Sequence, residues 1–228
     1  MDLVIFDLDG TLVDSKLDLA HAVNATCRRL GLDELPLERI AAYVGNGAPV
    51  LMRRVLGNGA SEQEVRRALD FFLSYYEDHR LDYTRLYPGV RESLDRLRGD
   101  GVRMAVLTNK PVRISRLILE GLGVASHFFR IYGGNSFEQK KPHPVGVDTL
   151  RYEAKVGRER TLFVGDSAVD VRTARNARVA CCGVAFGFQP DTFASDPPDF
   201  IVDRMEQMAD EVLARRAGAR ADGPSRTA

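Results

Sequence analysis

The chain has 228 residues, of which 44% are hydrophobic and 28% charged, a composition typical of a folded globular protein rather than a disordered or fibrous one. Its 32 Lys and Arg residues balance its 32 Asp and Glu residues, and this argues against nucleic acid or an anionic membrane as a partner. No apolar run reaches the roughly 20 residues needed to span a bilayer, so we expect a cytoplasmic monomer or homodimer that acts on a small molecule.

Short apolar runs recur along the chain and predict buried parallel strands. They cover residues 3–6, 102–107, 128–132, 161–164, 180–184 and 200–202. Amphipathic segments with a helical period lie between most of these runs, as at 112–122 and 145–156. This alternation predicts an α/β fold, a Rossmann-like parallel sheet covered by helices on both faces.

The long stretch between the first two predicted strands interrupts this alternation, because almost all of it has helical character. The expected helices run from Ser15 to Leu30, over 36–43 and 49–56, and from Ser61 to about residue 78. Ser15 has the character of a helix N-cap, and Ser61 with Glu64 has the spacing of a capping box. The stretch therefore predicts an inserted, all-helical unit.

These segments divide the chain into a core and a cap. We predict a catalytic core formed by residues 1–14 and 82–217, and a helical cap over residues 15–81. Pro88 and Gly89 mark the return of the chain to the core. Residues 218–228 contain little that could be buried, and we expect a disordered tail there.

Two carboxylates follow the first predicted strand directly. Asp7 and Asp9 are two positions apart, so both leave the strand on the same side. Gly10 permits a sharp backbone path that turns main-chain N–H groups toward an anion, and Thr11 adds a hydroxyl. An ordinary Asp-Gly turn has the same residues, but the motifs at the other strand ends favour a reactive site.

Two further motifs contain groups suited to a phosphate. Thr108 and Asn109 close the second predicted strand and open a helix whose free N–H groups can face an anion, although such a pair also serves as a common helix cap. Lys140 and Lys141 precede a proline, which stiffens the loop so that a lysine can point at a fixed place. The residues alone do not decide which of the two lysines contacts phosphate.

The fourth motif again follows a strand and is acidic. Asp166 and Ser167 lie at the strand end, and Asp170 is one helical turn further on the same face. Because ligands of open α/β sheets bind beyond the carboxyl ends of the strands, we expect all four motifs to meet there. Clustered carboxylates repel one another unless a cation lies among them, and oxygen ligands suit Mg²⁺ best. A metal ion and a lysine at the same site together predict that the site binds a phosphoryl group.

The four motifs in this order resemble those of the haloacid dehalogenase superfamily, in the branch with a helical cap after the first motif. The resemblance covers residues 1–203. It implies that Asp7 is the nucleophile, that Asp9 is the acid and base, and that Thr108 and Lys141 hold the phosphoryl group. It further implies Mg²⁺ bound by Asp7, the main-chain carbonyl of Asp9 and Asp166, with Ser167 and Asp170 in support.

Within that family the chain is most similar to phosphoglycolate phosphatases, partly through Gly45, Asn46 and Gly47, a turn that could close over a small carboxylate or merely join two cap helices. Other phosphatase substrates, namely sugar phosphates, nucleotide monophosphates and pyrophosphate, and a phosphomutase of the β-phosphoglucomutase kind remain alternatives. A non-enzymatic binding module is disfavoured by the intact motifs. Arg178 stands where the family usually has a glycine, at a left-handed helix end that costs a non-glycine residue about 1 kcal/mol.

Overall fold

The computed structural model describes residues 1–221 as an α/β protein built on a six-stranded sheet. In chain order the strands are β1 (Leu3–Phe6), β2 (Val13–Asp14), β3 (Arg85–Leu86), β4 (Arg103–Leu107), β5 (Arg130–Tyr132), β6 (Thr161–Gly165), β7 (Ala180–Val184) and β8 (Phe200–Val202). The helices are α1 (Lys16–Leu30), α2 (Leu37–Tyr43), α3 (Ala48–Leu56), α4 (Glu62–His79), α5 (Val90–Gly99), α6 (Val112–Gly121), α7 (Val145–Ala154), α8 (Ala168–Ala177) and α9 (Met205–Ala221).

The main sheet has the order β5-β4-β1-β6-β7-β8, and all of its neighbouring strands run parallel. The predicted Rossmann-like α/β core is therefore confirmed. The apolar sequence of β1 has no exposed side chain, because helices cover both faces of a parallel sheet. Its side chains alternate between two apolar cores, with Val4 and Phe6 in one and Leu3 and Ile5 in the other.

Four helices, α1 to α4, fill the inserted stretch, and the core that contains Phe6 continues into it through Phe72 and Tyr76 of α4. Ser61 and Glu64 form the predicted capping box at the start of α4. Ser15 occupies the N-cap position of α1, but its hydroxyl makes no capping bond. The expected capping role of that side chain is wrong, because the hydroxyl donates to Asp9 instead.

Two short segments, one before and one after the helical insert, form a ribbon that the sequence does not predict. Strands β2 and β3 pair antiparallel, and the N–H of Tyr87 donates to the carbonyl of Leu12 beside them. Gly89 adopts a φ of 75° just before α5, as a chain reversal at that point requires. The ribbon joins both connections to the insert into one hinge-like element.

The C-terminal end differs from the expectation for residues 218–228. Helix α9 continues to Ala221, so residues 218–221 are helical, and the remaining residues of the expected tail lie outside the described part of the chain. Arg178 has a φ of 56°, and it is the left-handed C-cap of α8 that its position predicts. Among the described helices, none combines the length and the apolar character that crossing a bilayer requires.

Candidate active site

Three neighbouring strands present polar side chains at one edge of the sheet. Strand β1 lies between β4 and β6, and Asp7, Thr108 and Asp166 are the residues that directly follow these strands. Because the strands are parallel, their carboxyl ends lie side by side, and all three side chains are buried. The sheet topology thus brings together residues that are far apart in sequence.

Lys141 joins two of the acidic side chains. Its ammonium lies 2.9 Å from Oδ1 of Asp7 and donates to Oδ1 of Asp170 over 2.7 Å. Burial lowers the pKa of Lys141, but the carboxylates of Asp170 and Asp7 outweigh burial and raise it. Lys141 therefore stays charged beside Asp7. Lys140 is exposed, which favours Lys141 as the lysine of the site.

Asp9 has a separate set of partners on the side of the helical insert. The hydroxyl of Ser15 donates to its Oδ1 over 2.5 Å, and the ammonium of Lys110 lies 2.8 Å and 3.0 Å from its two oxygens. Lys110 also donates to the hydroxyl of Tyr76 over 2.6 Å. The core helix α6 and the insert helix α4 thus share one buried polar network at Asp9.

Asp7, Asp166 and Asp170 form a buried carboxylate cluster whose ligand atoms lie within 4.8 Å of one another. Burial raises the pKa of Asp7 to about 6, in spite of the opposing charge of Lys141. Burial and the carboxylates of Asp170 and Asp7 raise the pKa of Asp166 well above its ordinary value. One lysine does not neutralise three buried carboxylates, and an all-oxygen set of this kind fits a hard divalent cation such as Mg²⁺.

Asp170 acts through its neighbours. Its Oδ2 accepts hydrogen bonds from the main-chain N–H and the hydroxyl of Ser167, which is the N-cap of α8, while its other oxygen holds Lys141. It is fully buried. The supporting role expected for Asp170 thus takes the form of a contact with Lys141.

The loop after β7 closes over Asp166. The N–H of Phe188 donates to Oδ2 of Asp166 over 2.7 Å. Neither Gly10 nor Gly187 leaves room for a side chain, because a Cβ at either position would lie 2.2 Å from an atom of Asp166. Gly10 is thus needed for the close approach of Asp166, in addition to any role toward an anion.

Asn109 connects the lysine loop with the helical insert. Its side-chain amide donates to the carbonyls of Gly45 and Lys141 over 2.9 Å and 3.1 Å, and its Oδ1 accepts from the N–H of Lys141 over 3.0 Å. Gln189 adds hydrogen bonds of 3.0 Å to the carbonyls of Ala41 and Val44. These contacts hold the turn between α2 and α3 over the sheet edge.

A cavity of about 650 Å³, including its open mouth, lies between the sheet edge and the insert. Eight of the residues singled out from the sequence line it, namely Asp7, Asp9, Gly45, Gly47, Thr108, Asn109, Asp166 and Ser167. Five others do not line it: Gly10, Thr11, Asn46, Lys141 and Asp170. Lys141 and Asp170 still contact the site through Asp7, whereas the hydroxyl of Thr11 is buried and has no hydrogen-bond partner among the described residues.

Sequence reasoning missed four residues of the site: Ser15, Tyr76, Lys110 and Phe188. Lys110 carried a signal, since it comes directly after Thr108 and Asn109 at a strand end. Tyr76 gave none, because an aromatic residue on an amphipathic helix predicts core packing equally well. Phe188 donates a main-chain N–H to Asp166, and sequence patterns do not reveal such a contact.

Comparison with known proteins identifies close relatives. A family model described as haloacid dehalogenase-like hydrolase matches residues 4–184. A phosphoglycolate phosphatase of Pseudomonas syringae pv. tomato is 42% identical over 213 residues, which make up 90% of this chain and 78% of that protein. A phosphoglycolate phosphatase of Vibrio parahaemolyticus is 36% identical over 217 residues, 92% of this chain and 95% of that protein.

Solved structures agree with the sequence relatives. The crystal structure of a predicted phosphoglycolate phosphatase from Haemophilus somnus superposes with a TM-score of 0.88 at 32% identity, and the match covers 92% of this chain and 97% of that one. The crystal structure of an inferred phosphoglycolate phosphatase from Lactobacillus delbrueckii subsp. bulgaricus gives a TM-score of 0.86 at 29% identity, and the match covers 92% of this chain and 98% of that one. Both matches extend across the sheet and the helical insert.

Proposed function

The chain belongs to the haloacid dehalogenase-like hydrolase family, and we propose that it is a Mg²⁺-dependent phosphatase that hydrolyses 2-phosphoglycolate through a covalent phosphoaspartate on Asp7. Its relatives named phosphoglycolate phosphatase make it a phosphoric monoester hydrolase. One observation carries the mechanistic part of the proposal: Asp7 lies 2.9 Å from Lys141 and within 4.8 Å of Asp166 at the sheet edge, and Asp9 lines the same cavity.

In the first step a carboxylate oxygen of Asp7 attacks phosphorus. The bond from phosphorus to the leaving alkoxide breaks, and Asp9 gives its proton to that alkoxide, so that the alcohol leaves neutral. Lys141 and the hydroxyl of Thr108 compensate the charge of the phosphoryl oxygens. The product of this step is an acyl phosphate on Asp7 and a free alcohol.

In the second step Asp9, now a carboxylate, takes a proton from water. The water oxygen attacks phosphorus, the bond between phosphorus and Asp7 breaks, and inorganic phosphate leaves. Asp7 returns as a carboxylate and Asp9 as an acid, which completes the cycle. Ser15 and Lys110 fix the orientation of Asp9 for both proton transfers.

The residues proposed to hold Mg²⁺ are Asp7, Asp166 and the main-chain carbonyl of Asp9. When bound, the ion neutralises charge on the phosphoryl oxygens and lets two buried carboxylates approach a phosphate. Burial raises the pKa of Asp7 and of Asp166, and a bound cation would offset this effect, which supports the assignment.

Two features favour a small substrate. The helical insert closes the cavity through Asn109 and Gln189, and apolar side chains such as Leu51 and Phe72 form much of its wall.

A phosphomutase would keep the phosphoryl group for transfer to a sugar acceptor. A hydrolase releases inorganic phosphate in water without any acceptor, and this difference separates the two activities.

The test is a phosphate-release assay with purified protein. Candidate substrates are 2-phosphoglycolate, a hexose phosphate, a nucleoside monophosphate and pyrophosphate, each with Mg²⁺ and with a chelator. We expect the highest kcat/KM for 2-phosphoglycolate, no turnover in chelator, and recovery on addition of Mg²⁺. Asp7→Asn should abolish release from every substrate without loss of the folded state.

Asp33→Asn is the matched control, since Asp33 is an exposed carboxylate in a loop of the helical insert. It should retain full activity. Full turnover in chelator would remove the metal from the proposal. Substantial turnover by folded Asp7→Asn would remove the nucleophile, and preference for a substrate other than 2-phosphoglycolate would correct the substrate alone.

A further inference from the structure

Lys110 is a buried cation that the proposed mechanism uses only to orient Asp9. Only 5% of its side chain is exposed, and its ammonium lies 4.3 Å from the centre of the Tyr76 ring in addition to its contacts with Asp9 and the Tyr76 hydroxyl. Burial lowers the pKa of Lys110, which shows that the protein holds this ammonium at a cost. Because burying a charge is unfavourable, we expect the ammonium of Lys110 to have a further function.

The two lysines of the site contact different carboxylates. Lys141 contacts Asp7, the residue that attacks phosphorus, and Asp170 behind it. Lys110 instead contacts Asp9, which gives its proton to the leaving oxygen, and Tyr76 of the helical insert. Lys110 therefore lies on the side of the leaving group. Of the residues that the structure describes, it is the sole lysine or arginine that lines the cavity.

Two other polar side chains, on the side of the cavity that faces the helical insert, donate to main-chain carbonyls. The amide of Gln189 donates to two carbonyls of the insert, and the amide of Asn109 donates to Gly45 and Lys141. Apolar side chains complete this side of the cavity: Leu19, Leu51, Phe72, Leu73, Ile114 and Phe188. Such a wall has few hydrogen-bond partners for the several hydroxyls of a sugar. Lys110 and Tyr76 remain as the polar contacts for a short leaving group.

We propose that Lys110, together with the Tyr76 hydroxyl, binds a carboxylate on the leaving group, so that the enzyme selects small phosphomonoesters of hydroxy acids over neutral ones. This inference rests on the proposed phosphatase function and adds the residue that recognises the substrate. It assigns the two lysines separate tasks: Lys141 binds the phosphoryl group, and Lys110 binds the carboxylate of the leaving group.

The charge balance during the reaction supports this division. While Asp9 carries the proton that it delivers to the leaving oxygen, it supplies no negative charge to Lys110. A carboxylate on the leaving group restores a counter-charge to the buried ammonium at that stage. A neutral leaving group cannot do so, and the ammonium of Lys110 then has no counter-charge until Asp9 has given up its proton.

The test compares two substrates of almost equal size in wild type and Lys110→Met. 2-Phosphoglycolate carries the carboxylate, and 2-hydroxyethyl phosphate has a hydroxymethyl group in its place. We expect Lys110→Met to lower kcat/KM for 2-phosphoglycolate about a hundredfold. For 2-hydroxyethyl phosphate the loss should be about fivefold or less, because only the support of Asp9 is removed.

Lys155→Met is the matched control, because Lys155 is exposed and follows α7 at the opposite edge of the sheet from the site. It should leave both substrates unaffected. Equal losses on the two substrates in Lys110→Met would overturn the proposal, since Lys110 would then act through Asp9 alone. A wild-type enzyme that hydrolyses both substrates equally would overturn it as well, while the phosphatase function would stand. No phosphate release from any phosphomonoester would instead refute the proposed function.

A binding measurement keeps the test valid if Lys110→Met folds poorly. Tyr76→Phe keeps the ring and removes only the hydroxyl, and in the inactive Asp7→Asn background 2-phosphoglycolate can be titrated calorimetrically without turnover. We expect Tyr76→Phe to weaken binding of 2-phosphoglycolate about tenfold and to leave binding of 2-hydroxyethyl phosphate nearly unchanged. Unchanged binding of both ligands would contradict the assignment of Tyr76.

Discussion

At the scale of single residues, the setting of Asp9 differs from that of Asp7. Asp7 lies in a carboxylate cluster with Asp166 and Asp170, whereas Asp9 is surrounded by a hydroxyl and an ammonium from Ser15 and Lys110. A nucleophile has to remain a carboxylate while it attacks, and an acid has to give up its proton and recover it. The two environments therefore differ: Asp7 lies beside two further carboxylates, whose charge a bound cation would offset, whereas two hydrogen-bond donors fix the orientation of Asp9.

The proton transfers assigned to Asp9 lead to a specific prediction for Asp9→Asn. Steady-state hydrolysis of 2-phosphoglycolate should fall about 10²–10⁴-fold, because both the acid and the base are lost. With p-nitrophenyl phosphate, whose phenolate leaves without a proton, stopped-flow absorbance should show a burst of one phenolate per enzyme followed by slow turnover. Asp33→Asn should behave as wild type, and near-normal steady-state turnover of 2-phosphoglycolate by Asp9→Asn would exclude Asp9 as the acid and base.

The sequence was sufficient to predict which strand ends meet at the candidate site. Asp7, Thr108 and Asp166 each follow an apolar run, and parallel strands bring such positions to one edge. Lys110 and Tyr76 could not be found in this way. Their contact depends on how an inserted helix packs over α6, and no periodicity of either segment contains that information.

At the scale of elements, two helices end in an unfavourable conformation. Lys155 after α7 and Arg178 after α8 adopt left-handed backbone angles, with φ of 54° and 56°. A side chain in this region crowds the following carbonyl, which glycine avoids. Both side chains are exposed, so little packing is lost when either is removed.

We therefore predict that Arg178→Gly stabilises the protein. The free energy of unfolding, measured by urea denaturation, should rise by about 1 kcal/mol, and Lys155→Gly should have a similar effect. Ala177→Gly is the control, because Ala177 is the last residue of α8 and is buried; it should lose about 1 kcal/mol or more. A loss of stability in Arg178→Gly would mean that the arginine makes contacts that outweigh its backbone strain.

The predicted elements match the structure best where periodicity extends over many residues. Helix α4, with its capping box, begins one residue after Ser61 as expected. The β2–β3 ribbon was missed because each strand has two residues, too few to show a period. The composition of residues 218–228 predicts a tail because little of it could be buried, yet α9 extends to Ala221.

At the scale of the whole molecule, the buried carboxylates of the site lower the free energy of unfolding, and a bound cation would raise it again. Burial and the neighbouring carboxylates raise the pKa of Asp7 and of Asp166, so the ionised forms of these two groups are disfavoured in the folded protein. The folded-state pKa of Asp166 lies above its unfolded value of about 4, so its contribution to stability is lost as pH rises above that value. Metal-free protein should therefore be strained at neutral pH.

Asp166→Asn tests this relation between site and stability. In chelator the variant should have a higher melting temperature than wild type, and the difference should grow as pH rises from about 4 toward 7. Saturating Mg²⁺ at about 100 times its Kd should stabilise wild type by about 2.7 kcal/mol and the variant far less. Asp33→Asn should follow wild type in both conditions. A variant that is less stable than wild type in chelator would contradict the proposed carboxylate strain.

The most direct test of the account is to identify the atom that receives the phosphoryl group. Wild-type enzyme mixed with substrate and Mg²⁺ is quenched in acid within one turnover and treated with borohydride, which reduces an aspartyl phosphate to homoserine. Peptide mass spectrometry should find homoserine at position 7 in wild type and none in Asp7→Asn. Turnover without any modification at position 7, or with modification at another carboxylate, would contradict the central claim that Asp7 is the nucleophile.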